Sequence, residues 1–278
     1  MADKIELIGN SLIQHGKENN RIYLMKLAKD DCPGILSLMN NLALNDGYTK
    51  IIAKVPAEFK ALFLKDGYEN EAYVRKFYNG EEDVYFLSKY FSTERQEFND
   101  KNDILMVTQF CIEKGNLSDT PKLAENFSLK LLGKEHISQM IELFKSVFES
   151  YPFPIFDGNY ILKTMSKNVD YYGIWENGKL VAISSSEMDL ENLNTEMTDF
   201  ATLLEYRGNN LSYHLLNEMQ KDAKSKGITT AYTIARAKNT GINMTFAKMF
   251  YEFGGTLVNN TNICGNIETM NIWYKNLL

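Results

Sequence analysis

Apolar residues at Ile137, Met140, Ile141, Phe144, Val147 and Phe148 recur at the three-and-four spacing of one helix face, so "KEHISQMIELFKSVFESY" is predicted to be an amphipathic helix. "FSLKLL" before it reads as a strand, and "NYILKTMSKN" after it as a second, short helix. "DYYGIWENGKLVAISSSEM" is predicted to form two strands folded about Asn177-Gly178, a pair that tolerates the positive φ of a tight hairpin turn. "TEMTDFATLL" follows as a strand, and "NNLSYHLLNEMQKDAKSKG" as a helix closed by Gly227. "TTAYTIARA", "MTFAKMFYEFGG", "TLVNNTNI" and "TMNIWYKNLL" complete the chain as strand, helix, strand, strand. From about residue 127 the predicted order is therefore β-α-α-β-β-β-α-β-α-β-β.

The least patterned stretch runs from Phe98 to Asn126, with polar ends and an apolar middle, "ILMVTQFCI", that suits a connecting helix or strand. A boundary near residue 125 follows, giving units 1–125 and 126–278. The first unit echoes the second. "ILSLMNNLALNDGYT" aligns without a gap on "LLNEMQKDAKSKGIT", matching Leu36 to Leu216, Met39 to Met219, Ala43 to Ala223 and Gly47 to Gly227. "FKALFLKDGYE" matches "FAKMFYEFGGT" at Phe59/Phe246, Phe63/Phe250 and Gly67/Gly254. The shared order suggests a diverged duplication.

Composition narrows the function. A net charge of -6 and a pI near 5.3 provide no basic field for a nucleic-acid backbone, so no nucleic-acid partner is expected. Cys32, Cys111 and Cys264 are odd in number and far apart, and no histidine lies at metal spacing, so reduced thiols and no metal are expected. "MADKIELIGN" lacks the apolar core of a signal peptide and no run of about 18 apolar residues occurs. A cytoplasmic location without a membrane partner is the expectation.

"EYRGNNLSYHLL" carries the chemistry. It joins a strand ending near Leu203 to a helix starting near Asn209, and a helix start offers unpaired N–H groups and partial positive charge to a pyrophosphate. Arg207 adds a fixed cation. This element order and this turn resemble the GNAT acetyltransferases, whose signature is Arg or Gln, two residues, Gly, one residue, then Gly or Ala. The six positions here read Arg207, Gly208, Asn209, Asn210, Leu211 and Ser212. Asparagine is the residue next best to glycine at left-handed angles and serine remains small, so the cradle survives the departure. A longer resemblance, through "IQHGKENNRIYLMKL", "GYTKIIAKVP", "ESYPFPIFD", "TDFATLLEYRGN", "FAKMFYEFGGTLVNNTNI" and "ETMNIWYKNL", is to the β-lysine N-acetyltransferase branch and spans both units.

The resemblance implies an α/β (α+β) GNAT fold, a mixed central sheet flanked by helices, preceded by a smaller GNAT-like partial domain. It implies acetyl transfer from acetyl-CoA to the side-chain amine of β-lysine, giving N-acetyl-β-lysine, a compatible solute. A protein or polyamine amine, or a silent acyl-CoA sensor, are the alternatives. Ala201, Thr202, Leu203, Asn243 and Phe250 would join the cradle residues around the coenzyme. Glu196, eleven residues before Arg207, would be the base, with Asp199 the alternate. The main-chain N–H of Leu203 would polarise the thioester. The tyrosine that protonates the thiolate in many GNATs falls on Phe250 if aligned through Gly254, or on Tyr251 if aligned through Gly255. By position, Asp157 would pair with a substrate ammonium and Arg236 with a carboxylate. In the first unit the place of the cradle reads "AKDDCPG", where Asp30 and Asp31 would repel a pyrophosphate. That unit is expected to serve as a lid or a dimerisation surface, which would allow a homodimer.

Overall fold

A computed structural model describes residues 3–115 and 121–278; residues 116–120, part of the unpatterned stretch, lie outside the described residues. Strands β1 (Lys4–Ile8), β2 (Ser11–Gly16) and β3 (Arg21–Lys26) lead to helix α1 (Gly34–Asp46), strand β4 (Lys50–Pro56), helix α2 (Lys60–Lys65) and strands β5 (Glu69–Tyr78) and β6 (Glu82–Tyr90). Helices α3 (Thr93–Gln96) and α4 (Lys101–Gly115) connect to β7 (Phe127–Leu132), α5 (Ile137–Val147), α6 (Gly158–Met165), β8 (Val169–Glu176), β9 (Lys179–Asp189) and β10 (Asn194–Thr202). Helix α7 (Leu211–Ser225), β11 (Thr230–Arg236), α8 (Thr240–Lys248), β12 (Glu252–Ile263) and β13 (Asn266–Asn276) finish the chain. The second half follows the predicted order. The expected hairpin turn is present, with Asn177 at φ 48° and Gly178 at φ 81°.

These strands form one mixed sheet in the order β1-β2-β3-β4-β6-β5-β12-β13-β11-β10-β9-β8-β7. Within it, β1-β2-β3-β4-β6-β5 and β8-β9-β10-β11-β13-β12 have the same sequence of pairings: two antiparallel, one parallel, two antiparallel. The crossover helices end alike too. Tyr48 N–H donates to Ala43 C=O and Ile228 N–H to Ala223 C=O, each just past a glycine of positive φ, Gly47 or Gly227. The second stretch of the internal match shifts by one turn. Tyr68 N–H reaches Phe63 C=O as Tyr251 N–H reaches Phe246 C=O, so Phe63 corresponds to Phe246 and Gly67 to Phe250, both at positive φ. Helix α8 stops at Lys248, and the residues after Tyr251 that were read as its end are strand.

The two halves meet edge to edge where β12 pairs with β5 at Gly255 and Ala72. A Cβ on Gly254 would lie 2.3 Å from Tyr73 C=O and one on Gly255 2.3 Å from Glu71 C=O, so only glycines let these backbones approach. Beside the seam, Tyr23, Ile52 and Phe86 of the first half share a core with Tyr232, Leu257 and Met270 of the second. The unpatterned stretch becomes α4, which packs on α8 so tightly that a Cβ on Gly115 would meet the Ala247 methyl at 2.6 Å. Cys111 of that helix lies in the second half's core.

Candidate active site

The backbone between β10 and α7 builds a cradle. Residues 204–206 make a short 3-10 turn, Gly208 takes φ 88°, and Asn210 takes φ 55°, ψ 26° as the residue before α7. No side chain caps this helix, so its first N–H groups face outward. Thr202, Arg207, Gly208, Asn210, Leu211 and Ser212 line one wall of a cleft of about 430 Å³, and Arg236, Thr245 and Lys248 the other. A Cβ on Gly208 would meet nothing, which leaves room for a group against the backbone. Arg207 keeps only a 3.4 Å bond to Thr202 C=O. The wall fits a pyrophosphate: a helix start, an accessible guanidinium and an open glycine. Asn209 does not line the cleft; its Nδ2 donates to Tyr206 C=O at 3.0 Å.

Upstream of the cradle, β10 bulges. Thr198 stands opposite Ser185 but Ala201 opposite Ile183, so Asp199 and Phe200 share one partner position. Asp199 absorbs the distortion at φ 56°, and its buried carboxylate accepts from Tyr151 Oη at 2.7 Å and Ser185 Oγ at 2.6 Å. Phe200 is set edge-on against Phe246, 5.6 Å between centroids. The Leu203 N–H, expected to polarise the thioester, is instead bonded to Val181 C=O at 3.0 Å, because regular pairing has resumed by then.

A second cavity, about 270 Å³, opens on the other side of the bulge, and Tyr151, Thr198 and Ile234 border both. Glu187 and Glu196 face each other across the β9–β10 pair on its wall, and Arg21, Tyr23 and Lys54 come from the first half. Tyr232 Oη donates to Glu196 Oε2 at 2.9 Å and accepts from Lys54 Nζ at 3.3 Å. Loss of solvation pushes the buried Asp199 and half-buried Glu196 carboxyls above the usual carboxylate range, and Glu187, although exposed, is raised beside them. Asp199 and Glu196 push Glu187 further up, and Lys54 opposes the rise at Glu187 and Glu196. Loss of solvation lowers the Lys54 ammonium.

The remaining sequence candidates lie elsewhere. Asp157 caps α6 by accepting from Asn159 N–H at 2.9 Å and borders neither cavity. Arg236 lines the coenzyme-sized cleft, yet its guanidinium is held bidentately by Glu268. Asn243 is fully buried, tying Trp273 Nε1 and Asn271 to the end of β11, and touches no cavity. Ala201 is buried beneath the cleft wall. Phe250 points to solvent at 66% exposure, while Tyr251 packs edge-on against Phe246 with its hydroxyl buried and unpartnered. Neither lines the cleft. His214 sits buried on α7 with loss of solvation lowering its pKa.

Sequence reasoning missed Arg21, Lys54, Tyr151, Glu187 and Tyr232. Glu187 had a signal: the residue pairing of a hairpin has a constant sum, so fixing Asn194 opposite Asp189 places Glu187 opposite Glu196. Lys54 and Arg21 had none, because their approach depends on the seam between distant strands.

Residues 138–251 match the family described as "Acetyltransferase (GNAT) family". The chain is 42% identical over 273 residues to a β-lysine N(6)-acetyltransferase of Methanococcus maripaludis, covering 98% of each chain. It is 31% identical over 263 residues to a protein of the same name from Methanosarcina mazei, covering 87% of this chain and 97% of that one. It is 29% identical over 273 residues to the N-acetyltransferase YodP of Bacillus subtilis, covering 96% of each.

Proposed function

The chain belongs to the GNAT acetyltransferase family, and from that premise we propose that it transfers the acetyl group of acetyl-CoA to the distal amine of β-lysine. The observation that carries the acceptor is the second cavity, whose wall holds the carboxylates of Glu187, Asp189 and Glu196 from one half of the chain and the cations Arg21 and Lys54 from the other. β-Lysine bears two ammonium groups and one carboxylate, so it demands both signs. Acetylating one amine leaves a zwitterion without net charge, a product suited to accumulate in the cytoplasm as a compatible solute.

Acetyl-CoA supplies an activated acyl carbon and a thiolate that departs as the new C–N bond forms. Arg207, Gly208, Asn210 and the start of α7 hold its pyrophosphate, and Thr202 lines the path toward the bulge. An aliphatic amine with a pKa near 10.4 arrives protonated, so a carboxylate must take its proton before attack. Glu196 fills that role, with Asp199 the alternate. Their raised pKa values bring them closer to the amine's and make them stronger bases than exposed carboxylates. The bulge backbone at Phe200, displaced from the ladder, replaces Leu203 as the N–H that meets the acyl oxygen. The thiolate, the anion of a group with pKa near 8.5, leaves without a dedicated acid. Strands β3 and β4 of the first half wall the acceptor cavity through Arg21, Tyr23, Ile52 and Lys54.

The test is thiol release from acetyl-CoA with β-lysine, other diamino acids, polyamines and lysine peptides. The expected result is turnover of β-lysine above all others. Equal turnover of cadaverine or a lysine peptide would move the acceptor to a polyamine or a protein amine.

A further inference from the structure

The second cavity holds two charges of opposite sign that the protein itself leaves without a direct counterpart. Lys54 Nζ has a single hydrogen bond, to Tyr232 Oη at 3.3 Å, and makes no ion pair among the described residues. Its strand neighbour Lys50 shows the contrast: fully buried, it is paired with Glu71 at 2.9 Å and bonded to Val258 C=O. Glu187 projects into the cavity and makes no side-chain hydrogen bond among the described residues. The other lining acids differ. Glu196 accepts from Tyr232, and Asp189 is bonded to Asn192 and lies 3.8 Å from Lys26. On the neighbouring strand β3, Arg21, which stands opposite Lys50, is 3% exposed, its Nη1 fixed by Asn260 C=O and Thr261 Oγ1 while its Nε has no acceptor. Lys167, the remaining cation on the lining, is exposed at the rim.

A β-amino acid head group presents a carboxylate and an ammonium separated by one methylene. We infer that Lys54 binds the acceptor's carboxylate and that Glu187 binds the proximal ammonium. The first half of the chain thereby selects the acceptor, although it carries no coenzyme cradle. This rests on the β-lysine reading above. Held by its head group, the molecule directs its distal amine along the cavity toward Thr198 and the bulge. Loss of solvation at Lys54 strengthens the selection, because an acceptor lacking the carboxylate leaves that ammonium uncompensated.

The test compares kcat/KM for β-lysine, its methyl ester and cadaverine in wild type and in Lys54→Met. Wild type is expected to prefer β-lysine over both others, and Lys54→Met to shrink that preference roughly tenfold or more, chiefly through KM for β-lysine. Lys54→Arg should restore part of it. Equal losses on all three substrates, or an unchanged preference, overturn the inference by giving Lys54 a structural role through Tyr232. If Lys54→Met does not fold, wild type decides alone: a methyl ester turned over as well as β-lysine overturns the carboxylate contact. A wild type that acetylates cadaverine in preference to β-lysine overturns instead the reading on which the inference rests.

Discussion

Glu187 and Glu196 stand directly opposite each other on β9 and β10; lost solvation pushes the half-buried Glu196 carboxyl above the usual range, and Glu187, although exposed, is raised beside it. Like charges at such positions repel, and a bound diammonium relieves the repulsion. A raised pKa means that these groups gain their charge later as pH rises. Acceptor affinity is therefore expected to appear as pH climbs through the raised values and to be lost as pH falls through them. Measuring KM for β-lysine against pH checks this. A KM for β-lysine that does not rise as the pH is lowered sinks it. KM for acetyl-CoA should not follow the same curve.

Replacing Glu196 with Gln keeps the shape and removes the base. Glu196→Gln should lower kcat by roughly a hundredfold and flatten the acidic limb of its pH profile, while coenzyme affinity holds. The Tyr232 hydroxyl can still donate to the amide oxygen, so the fold should survive. A wild-type profile in the variant would assign the proton to Asp199.

Asn210 holds φ 55° at the start of α7, an angle that β-branched residues resist. Asn210→Val should weaken acetyl-CoA binding by roughly tenfold, and Asn210→Gly should preserve it. Calorimetric titration with acetyl-CoA distinguishes the two, and equal affinity in the Val variant removes this residue from the cradle.

Tyr251 has a buried hydroxyl with no partner, an arrangement that costs stability. Tyr251→Phe is expected to leave kcat within about twofold and to raise stability by about 1 kcal/mol. A large fall in kcat would restore Tyr251 as the group that protonates the departing thiolate.

What the sequence disclosed was local. The turn at Asn177-Gly178, the helix closed by Gly227 and the cradle from Arg207 to Ser212 depend on backbone angles that neighbouring residues dictate. The bulge was less legible, since a strand gives no sign of where one extra residue enters; with the extra residue at Asp199, regular pairing has resumed by Leu203, whose N–H is bonded to Val181 C=O. Arg236 looked available because Glu268, its partner, lies on another strand. The second cavity was hidden for the strongest reason: Lys54 comes to share a wall with Glu187 and Glu196 only after β5 and β12 have joined.

The glycine pair at that join has a consequence for how the protein can change over generations. Gly254 and Gly255 weld two look-alike halves into one sheet, so strands of both halves wall one cavity. In the first half the cradle's place is filled by Asp31, which accepts from Asn10 N–H and Ser11 Oγ. Mutations on β3 and β4 can thus explore new acceptors while the catalytic half is held constant. A descendant with another preference would differ first near Arg21 and Lys54, with its glycine weld intact.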